Sequence, residues 1–442
     1  MRAPSERGPL IAACGIAAPH EPGGARTVSG PLSTAVALFK AIVGTGIFAL
    51  PTAIRATGWA LGSLCVLGLA FASTFGMGAV IYSIQELRTR SAVPAEPRAA
   101  AQPAGHPPDR IEYHHLLRAV FPRVHRLGMT LAVAGQLGSV ISFMSLVATT
   151  VSELWPPASR GLVLVVMMCI VTPLALLRTT SHPLFKLAMG GGSVAVVVAM
   201  LAVLGFGISA RGLAPISTLS AADPSGLGLL FGVCMVMFTA PMEAVSIEQD
   251  MADRSRFHQV LRATFTFITA SYILFGVLAY ACFGEATGRV RRDGEWVEKT
   301  ILQNIDGGAA GAFIKLALCV DLCMMTPVTL LPASKAIEEA LGAYESRRPA
   351  LNVALLRTAI VGGCTLAAGL LDNFELIVAL VGALTAGVVC YVFPALCYVA
   401  LCAHRLTPAQ LATARAVAVL GACASAFATV QVLWGAAAGG GG

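Results

Sequence analysis

Long apolar stretches alternate with short polar connections along almost the whole chain. A hydrocarbon layer about 30 Å thick takes about 20 residues of helix to cross. Runs of that order fall at 33–54, 59–86, 127–152, 161–178, 187–210, 226–248, 261–283, 312–335, 352–371, 375–403 and 411–435. The pattern predicts an all-α polytopic membrane protein with about eleven spans, ten and twelve being the neighbouring counts. The fourth run is short, and the ninth spans only if Arg357 snorkels to the interface.

The connections complete the organisation. Residues 1–32 read as a disordered cytosolic tail, 33–435 as the transmembrane domain and 436–442 as a low-complexity tail. The stretch "LIAACGIAA" (Leu10 to Ala18) is short and followed by His20 and Glu21, so it is assigned to the tail and not to a signal peptide. Residues 88–126 form a cytosolic loop and 284–311 a polar loop on the opposite face. Within the first, 91–108 is Pro/Ala-rich and disordered, whereas Arg110 to Val124 has the pattern of an amphipathic helix. His114 and His115 are expected on its surface rather than on a metal.

Composition sharpens the class. Hydrophobic residues make up 56% and charged residues 12%, with a mean hydropathy of +0.77. Soluble domains carry about 25% charged residues, and a soluble fold of this size could not expose so little polar surface. The charges also orient the chain. Connections on the side of the N-terminus hold 21 Lys and Arg residues against 8 on the other, which places the N-terminus in the cytosol. The twelve cysteines sit mostly alone in apolar runs, without CxxC or Cys/His ligand spacing, so neither a metal, a disulfide framework nor a cofactor is expected. No sequon marks the topology.

Two interruptions stand out. "LFKAIVGTGIFALP" (Leu38 to Pro51) places Gly44-Thr45-Gly46 inside the first span, and "FTAPME" (Phe238 to Glu243) places Pro241 inside the sixth. Pro241 lacks an amide and obstructs the preceding turn. A phosphate loop is the competing reading of the first, but it lacks a Walker pattern and its lysine precedes the glycines. Spans 1 and 6 are corresponding members of two five-helix halves, and paired breaks point to an inverted-repeat transporter with its site at midplane. A broken helix offers free N–H groups for a carboxylate and free carbonyls for a cation or ammonium. A zwitterionic amino acid needs both. The backbone at Gly44, Thr45 and Gly46 and at Phe238, Thr239 and Ala240 is therefore the expected substrate site, with two unrelated packing kinks as the alternative.

Ionisable residues inside spans need a reason, because each is costly there. Glu243, at the second break, and Asp321, deep in span 8, are candidates for a coupling proton. Asp321 is equally readable as a carboxylate bonded to hydroxyls or buried water. Glu248 lies beyond the break, where interfacial pairing competes with function, and Lys40 is expected to snorkel. Gln136, Thr326 and Thr329 are candidate polar lining. Gly135 and Gly138 fit close packing.

The first span resembles the opening span of the amino acid/auxin permease family, especially its proton-coupled and vacuolar amino-acid transporters. The shared pattern covers Lys40, Gly44, Thr45, Gly46, Leu50, Pro51, Ala53 and Gly58. "GQLGS" is similar to the family's third-span motif, and "FTAPMEAVSIEQDM" matches its sixth span at Phe238, Glu248 and Met251. "LAYACFGE" and "LDNFELIVALVGALTAGVVCYVFPAL" look like its seventh- and tenth-span segments. The resemblance runs from about residue 33 to 403 and implies a leucine-transporter-type 5+5 inverted repeat plus an eleventh helix. Three positions depart: Ile42 replaces a common asparagine, Thr239 an expected glutamate, and Glu243 stands where relatives are apolar.

The function expected is secondary transport of neutral or small amino acids by alternating access, at the plasma membrane or a vacuolar or lysosomal membrane. Its partners would be the amino acid, a coupling proton (sodium is the second choice) and the lipid bilayer, without nucleic acid. A membrane-embedded amino-acid sensor, or a sodium-coupled transporter of another small solute, is the alternative. No constellation for a hydrolase is visible, so an enzyme is not expected.

Overall fold

Proline and glycine punctuate the chain where its helices begin and turn. The computed structural model describes residues 29–92, 113–176, 183–292, 295–298, 300–305, 308–345, 348–371 and 374–439. Residues 1–28 of the tail and 93–112 of the cytosolic loop lie outside these. The first span is two pieces, α1 (Pro31–Ile42) and α2 (Leu50–Thr57), joined by a tight 3-10 turn at Thr45–Ala49. Then come α3 (Trp59–Ala92), a short α4 (Tyr113–Val120), α5 (His125–Leu154), α6 (Arg160–Ala175) and α7 (Pro183–Arg211). The sixth span is again two pieces, α8 (Leu227–Met237) and α9 (Pro241–Asp250), followed by α10 (Phe257–Phe283). A two-stranded antiparallel hairpin, β1 (Arg289–Arg292) and β2 (Glu295–Glu298), pairs Arg289 with Glu298 and leads to α11 (Ala309–Ala340) and α12 (Pro349–Leu370). The tenth span starts as α13 (Phe374–Val381), loosens into π turns at Gly382–Ala386 and Val388–Val392, and resumes as α14 (Phe393–Cys402). The last helix is α15 (Pro408–Gly439), which carries helix into the start of the low-complexity tail.

Among the described residues, eight helices are long and apolar enough to cross a membrane, or nine if the bent first pair is one span. Two shorter apolar helices, Arg160–Ala175 and Pro224–Met237, lie where the fourth span and the first half of the sixth are expected. Leu64, Phe71, Val165, Val198, Leu366 and Val430 are exposed on these helices, as lipid-facing side chains must be. The chain is a multi-pass membrane protein.

Local chemistry explains the turns. Gly58 adopts φ +79°, and a Cβ there would lie 2.5 Å from the Ala221 carbonyl carbon. Only glycine fits. The loop before α8 lies across this turn, its Ser220 and Ala221 carbonyls accepting from the first N–H groups of α3 at 3.0–3.1 Å. Those groups have no partner within the helix. On the expected cytosolic side, α4 is amphipathic as anticipated. Tyr113, Leu116 and Leu117 are buried, and the Tyr113 hydroxyl donates to the Val389 carbonyl in the second π turn at 2.8 Å.

One expectation is overturned. Arg357 does not snorkel; it is 2% exposed and sealed among α6, α11 and α12. Its guanidinium donates to both oxygens of the buried Glu338, at 2.6 and 3.3 Å, and to the Ala175 carbonyl at 2.8 Å. The Tyr344 hydroxyl donates to the same carboxylate. An opposite charge within reach makes burial tolerable where a snorkelling path would leave Glu338 alone. Glu248 is buried as well, and pairs with Arg88 at 3.5 Å.

Removing one partner of a buried pair strands the other, at about 3–5 kcal/mol. Arg357→Ala should therefore collapse thermal stability in detergent. The double replacement Arg357→Met with Glu338→Leu should recover most of it, as read by the unfolding midpoint of purified protein.

Candidate functional site

The two breaks are built differently from the same need. α1 ends at Ile42, Gly44 is fully extended (φ −122°, ψ −170°), and the halves of span 1 are bent by 52°. Gly44 is exposed, and a Cβ added there would meet nothing within 4 Å, so the backbone at this point faces open space. In span 6, α8 stops at Met237 and α9 restarts at Pro241, a first-turn position where the missing amide is harmless. Ala240 makes the corner at φ −154°, ψ 39°.

Carbonyls released by the breaks are held from neighbouring helices. The Tyr272 hydroxyl of α10 donates to the Ile42 carbonyl at 3.2 Å. The Ser73 hydroxyl of α3 donates to the Phe238 carbonyl at 2.7 Å. Thr239 turns back to the Met235 carbonyl. Each carbonyl has two lone pairs, and the hydroxyl engages one of them.

A small cavity of about 20 Å³, roughly the room for one water, touches both broken spans. Gly46 of span 1 and Val236 of span 6 form two of its walls. Ser139, Ser142 and Phe143 of α5 form a third, and Val378 and Val381 of α13 a fourth. The hydroxyls of Ser139 and Ser142 donate to the Gly135 and Gly138 carbonyls at 3.0 and 2.9 Å. Their oxygens are left with lone pairs and no spare hydrogen, which makes this face an acceptor.

Of the residues singled out from sequence, Gly46 lines the cavity, whereas Gly44, Phe238, Thr239 and Ala240 are not among the residues that form its walls. Gln136 does not line it either, and its amide instead donates to Glu243 Oε1 at 3.5 Å, joining α5 to the first turn of α9. Glu243 is partly buried. Asp321 lies apart from this pair on α11. Its Oδ1 is buried without a hydrogen-bond partner among the described residues, and its electrostatic neighbour is Lys40 of α1. Thr326 is buried and bonds the Leu322 carbonyl of its own helix at 2.7 Å, and neither it nor Thr329 lines the cavity. Ser139, Ser142, Phe143, Val378 and Val381 were not anticipated. The serines share the face of Gln136 at i+3 and i+6 spacing, a signal that was there to be used. The valines are apolar positions among apolar positions and gave none.

Two discontinuous helices, packed among continuous ones around a shared cavity, define a membrane protein of the transporter class with a broken-helix core. The chain belongs to the family described as transmembrane amino acid transporter protein, whose model matches residues 27–437. It is 24% identical to amino acid transporter AVT3C of Arabidopsis thaliana over 433 residues, covering 89% of this chain and 88% of the relative. It is 23% identical to amino acid transporter ANT1 of the same plant, covering 84% of each. Vacuolar amino acid transporter 3 of Schizosaccharomyces pombe is 23% identical, over 78% of this chain and 48% of the relative. Among solved structures, the inward-facing conformation of Mhp1 superposes with a TM-score of 0.55 at 13% identity, covering 93% of this chain and 92% of that one. MhsT in complex with L-phenylalanine gives 0.53 at 11% identity, covering 92% and 100%. The fold is of leucine-transporter type, and the relatives are named as transporters, not enzymes.

The hydroxyl partners of the breaks can be tested directly. Ser73→Ala and Tyr272→Phe each withdraw a donor from a buried carbonyl, at about 1–3 kcal/mol. Both should lower the unfolding midpoint and raise hydrogen exchange around 42–46 or 238–243, while exchange in α12 stays unchanged.

Proposed function

We propose that this chain is a secondary active transporter that moves neutral or small amino acids across a membrane by alternating access, coupled to protons. The observation that carries the reading is the pair of broken helices sharing one cavity, with Gly46 on one side and Val236 on the other. Free N–H groups at the start of the Thr45–Ala49 turn and of α9 offer positive dipole ends to an α-carboxylate. The remaining lone pairs of Ile42 and Phe238 and the acceptor face of Ser139 and Ser142 suit an α-ammonium. Gly44, Thr45, Gly46, Phe238, Thr239 and Ala240 supply the backbone of this site. Spans 1, 2, 6 and 7 would rock against the remainder, by analogy with the fold.

Glu243 is the favoured coupling group, because it sits in the first turn after the break with Gln136 as its partner. Asp321 is the second. Protons are preferred to sodium because Ile42 stands where the family resemblance leads one to expect asparagine, which leaves a sodium site short of a polar ligand. The charge bias of the connections supports a cytosolic N-terminus, and the relative named as vacuolar supports a vacuolar or lysosomal membrane over the plasma membrane.

The test is uptake of an amino-acid panel into liposomes, with proton and sodium gradients imposed separately. A proton gradient should drive saturable uptake and a sodium gradient should not; the reverse result defeats the coupling. Saturable binding without flux under either gradient would mark a sensor instead. Gly46→Val should abolish uptake with membrane insertion intact, because a Cβ there already lies 3.2 Å from Met237 Cγ and its branches have only the cavity to enter. Glu243→Gln should retain binding and lose the dependence of uptake on the proton gradient.

A further inference from the structure

The corner between α4 and α5 gathers positive charge that the rest of the fold leaves unanswered. Between Glu112 and Glu153 the chain carries no acidic residue, and Arg118, Arg123 and Arg126 fall within nine positions. All three are exposed, and none is in an ion pair among the described residues. Elsewhere at this end of the molecule, Arg88 pairs with Glu248, Arg90 and Arg405 with Glu86, and Arg256 with Asp253. Arg254 and Arg262 donate to the Gln249 and His258 carbonyls at 2.8 and 3.3 Å.

Apolar side chains share the corner. Val124 is 43% and Leu127 57% exposed, and Leu127 opens the third apolar run of the sequence, so both stand at the border of the hydrocarbon. Guanidinium groups beside exposed aliphatic side chains at that depth match an anionic leaflet, which offers negative headgroups to the charges and acyl chains to the rest. A soluble acidic partner would answer the arginines and leave both aliphatic side chains in water. The corner is also held firmly. The Tyr113 hydroxyl bonds the Val389 carbonyl in the second π turn, and the Phe121 ring packs against Phe393, the first residue of α14, with 6.3 Å between centroids. A Cβ on Gly128 would lie 2.9 Å from Leu117 Cδ1 and 3.0 Å from Phe393 Cε2, so the start of α5 is pressed against both neighbours. A surface ordered beforehand loses little freedom when it binds.

We propose that the corner from Arg118 to Leu127 is a binding surface for anionic phospholipid, with the three guanidinium groups on the headgroup and Val124 and Leu127 among the acyl chains. Its attachment to the second π turn through Tyr113 and Phe121 makes span 10 the element that registers occupancy. Neither statement depends on what the chain transports.

The experiment measures binding of fluorescent phosphatidylserine and phosphatidylcholine to the full chain in detergent, with monodispersity confirming the fold of each variant. Wild type should prefer phosphatidylserine, and added salt should weaken the preference. An arginine beside an anionic leaflet is worth about fivefold in binding, so Arg118→Gln, Arg123→Gln and Arg126→Gln together should cut the preference by up to about a hundredfold. The single replacements, at about fivefold each, serve if the triple variant does not fold. Arg254→Gln, Arg256→Gln and Arg262→Gln together remove the same charge from the same end and should leave most of the preference in place. In nanodiscs of phosphatidylcholine, adding phosphatidylserine should slow hydrogen exchange at 388–393 in wild type but not in the first triple variant. Equal losses in the two triple variants would overturn the inference, because general surface charge would then account for the binding; so would a wild type without preference. Selective binding that leaves exchange at 388–393 unchanged would overturn the link to span 10.

Discussion

A helix that breaks inside hydrocarbon exposes backbone groups where no water can receive them, and the rest of this structure is arranged around that problem. The carbonyls at Ile42 and Phe238 are the ones at issue. Each is met by a single hydroxyl from a neighbouring helix, Tyr272 in one case and Ser73 in the other. These two bonds satisfy the backbone without closing it, because each carbonyl keeps a lone pair. A fully bonded helix would be more stable and would bind nothing. A break without partners would not persist, since every unsatisfied group costs several kcal/mol in lipid.

The cavity follows from the same logic at the level of packing. Its walls come from four spans, and close approach of their backbones keeps it small: Gly232 against Gly382, and Gly138 against Val381. Glycine serves two separate purposes along the chain. At Gly44 nothing occupies the space of a side chain, so the backbone is left open. At Gly232 and Gly382 the space is fully taken by another helix. One kind of glycine makes a site accessible, and the other sets its size.

This distinction shows how far the sequence could be read. Both breaks were legible because glycine and proline act locally, on their own turn of helix. The amphipathic helix before α5 was legible from its pattern as well. The partners of the breaks were not, because a lone serine or tyrosine in an apolar run has two possible destinations. Ser83 and Thr269 are buried too, yet each bonds a carbonyl one turn back on its own helix. Only tertiary placement separates Ser73 from Ser83. Arg357 misled for a related reason: interfacial snorkelling and an internal ion pair look identical until Glu338 is placed beside it. Gln136 drew attention as the most polar residue of its span, whereas the smaller Ser139 and Ser142 face the cavity.

Arg357 has a counterpart. Arg160, at the other end of α6, donates to Ser145 of α5 at 3.0 Å and to the Ala368 and Leu371 carbonyls at the end of α12 at 2.7 and 2.6 Å. α6 and α12 are thus tied together at two places by a guanidinium, with α11 joined at Arg357 and α5 at Arg160. A body fixed at two points can tilt as a whole but cannot shear between them. Sliding of α6 along α12 would have to break both sets of bonds at once.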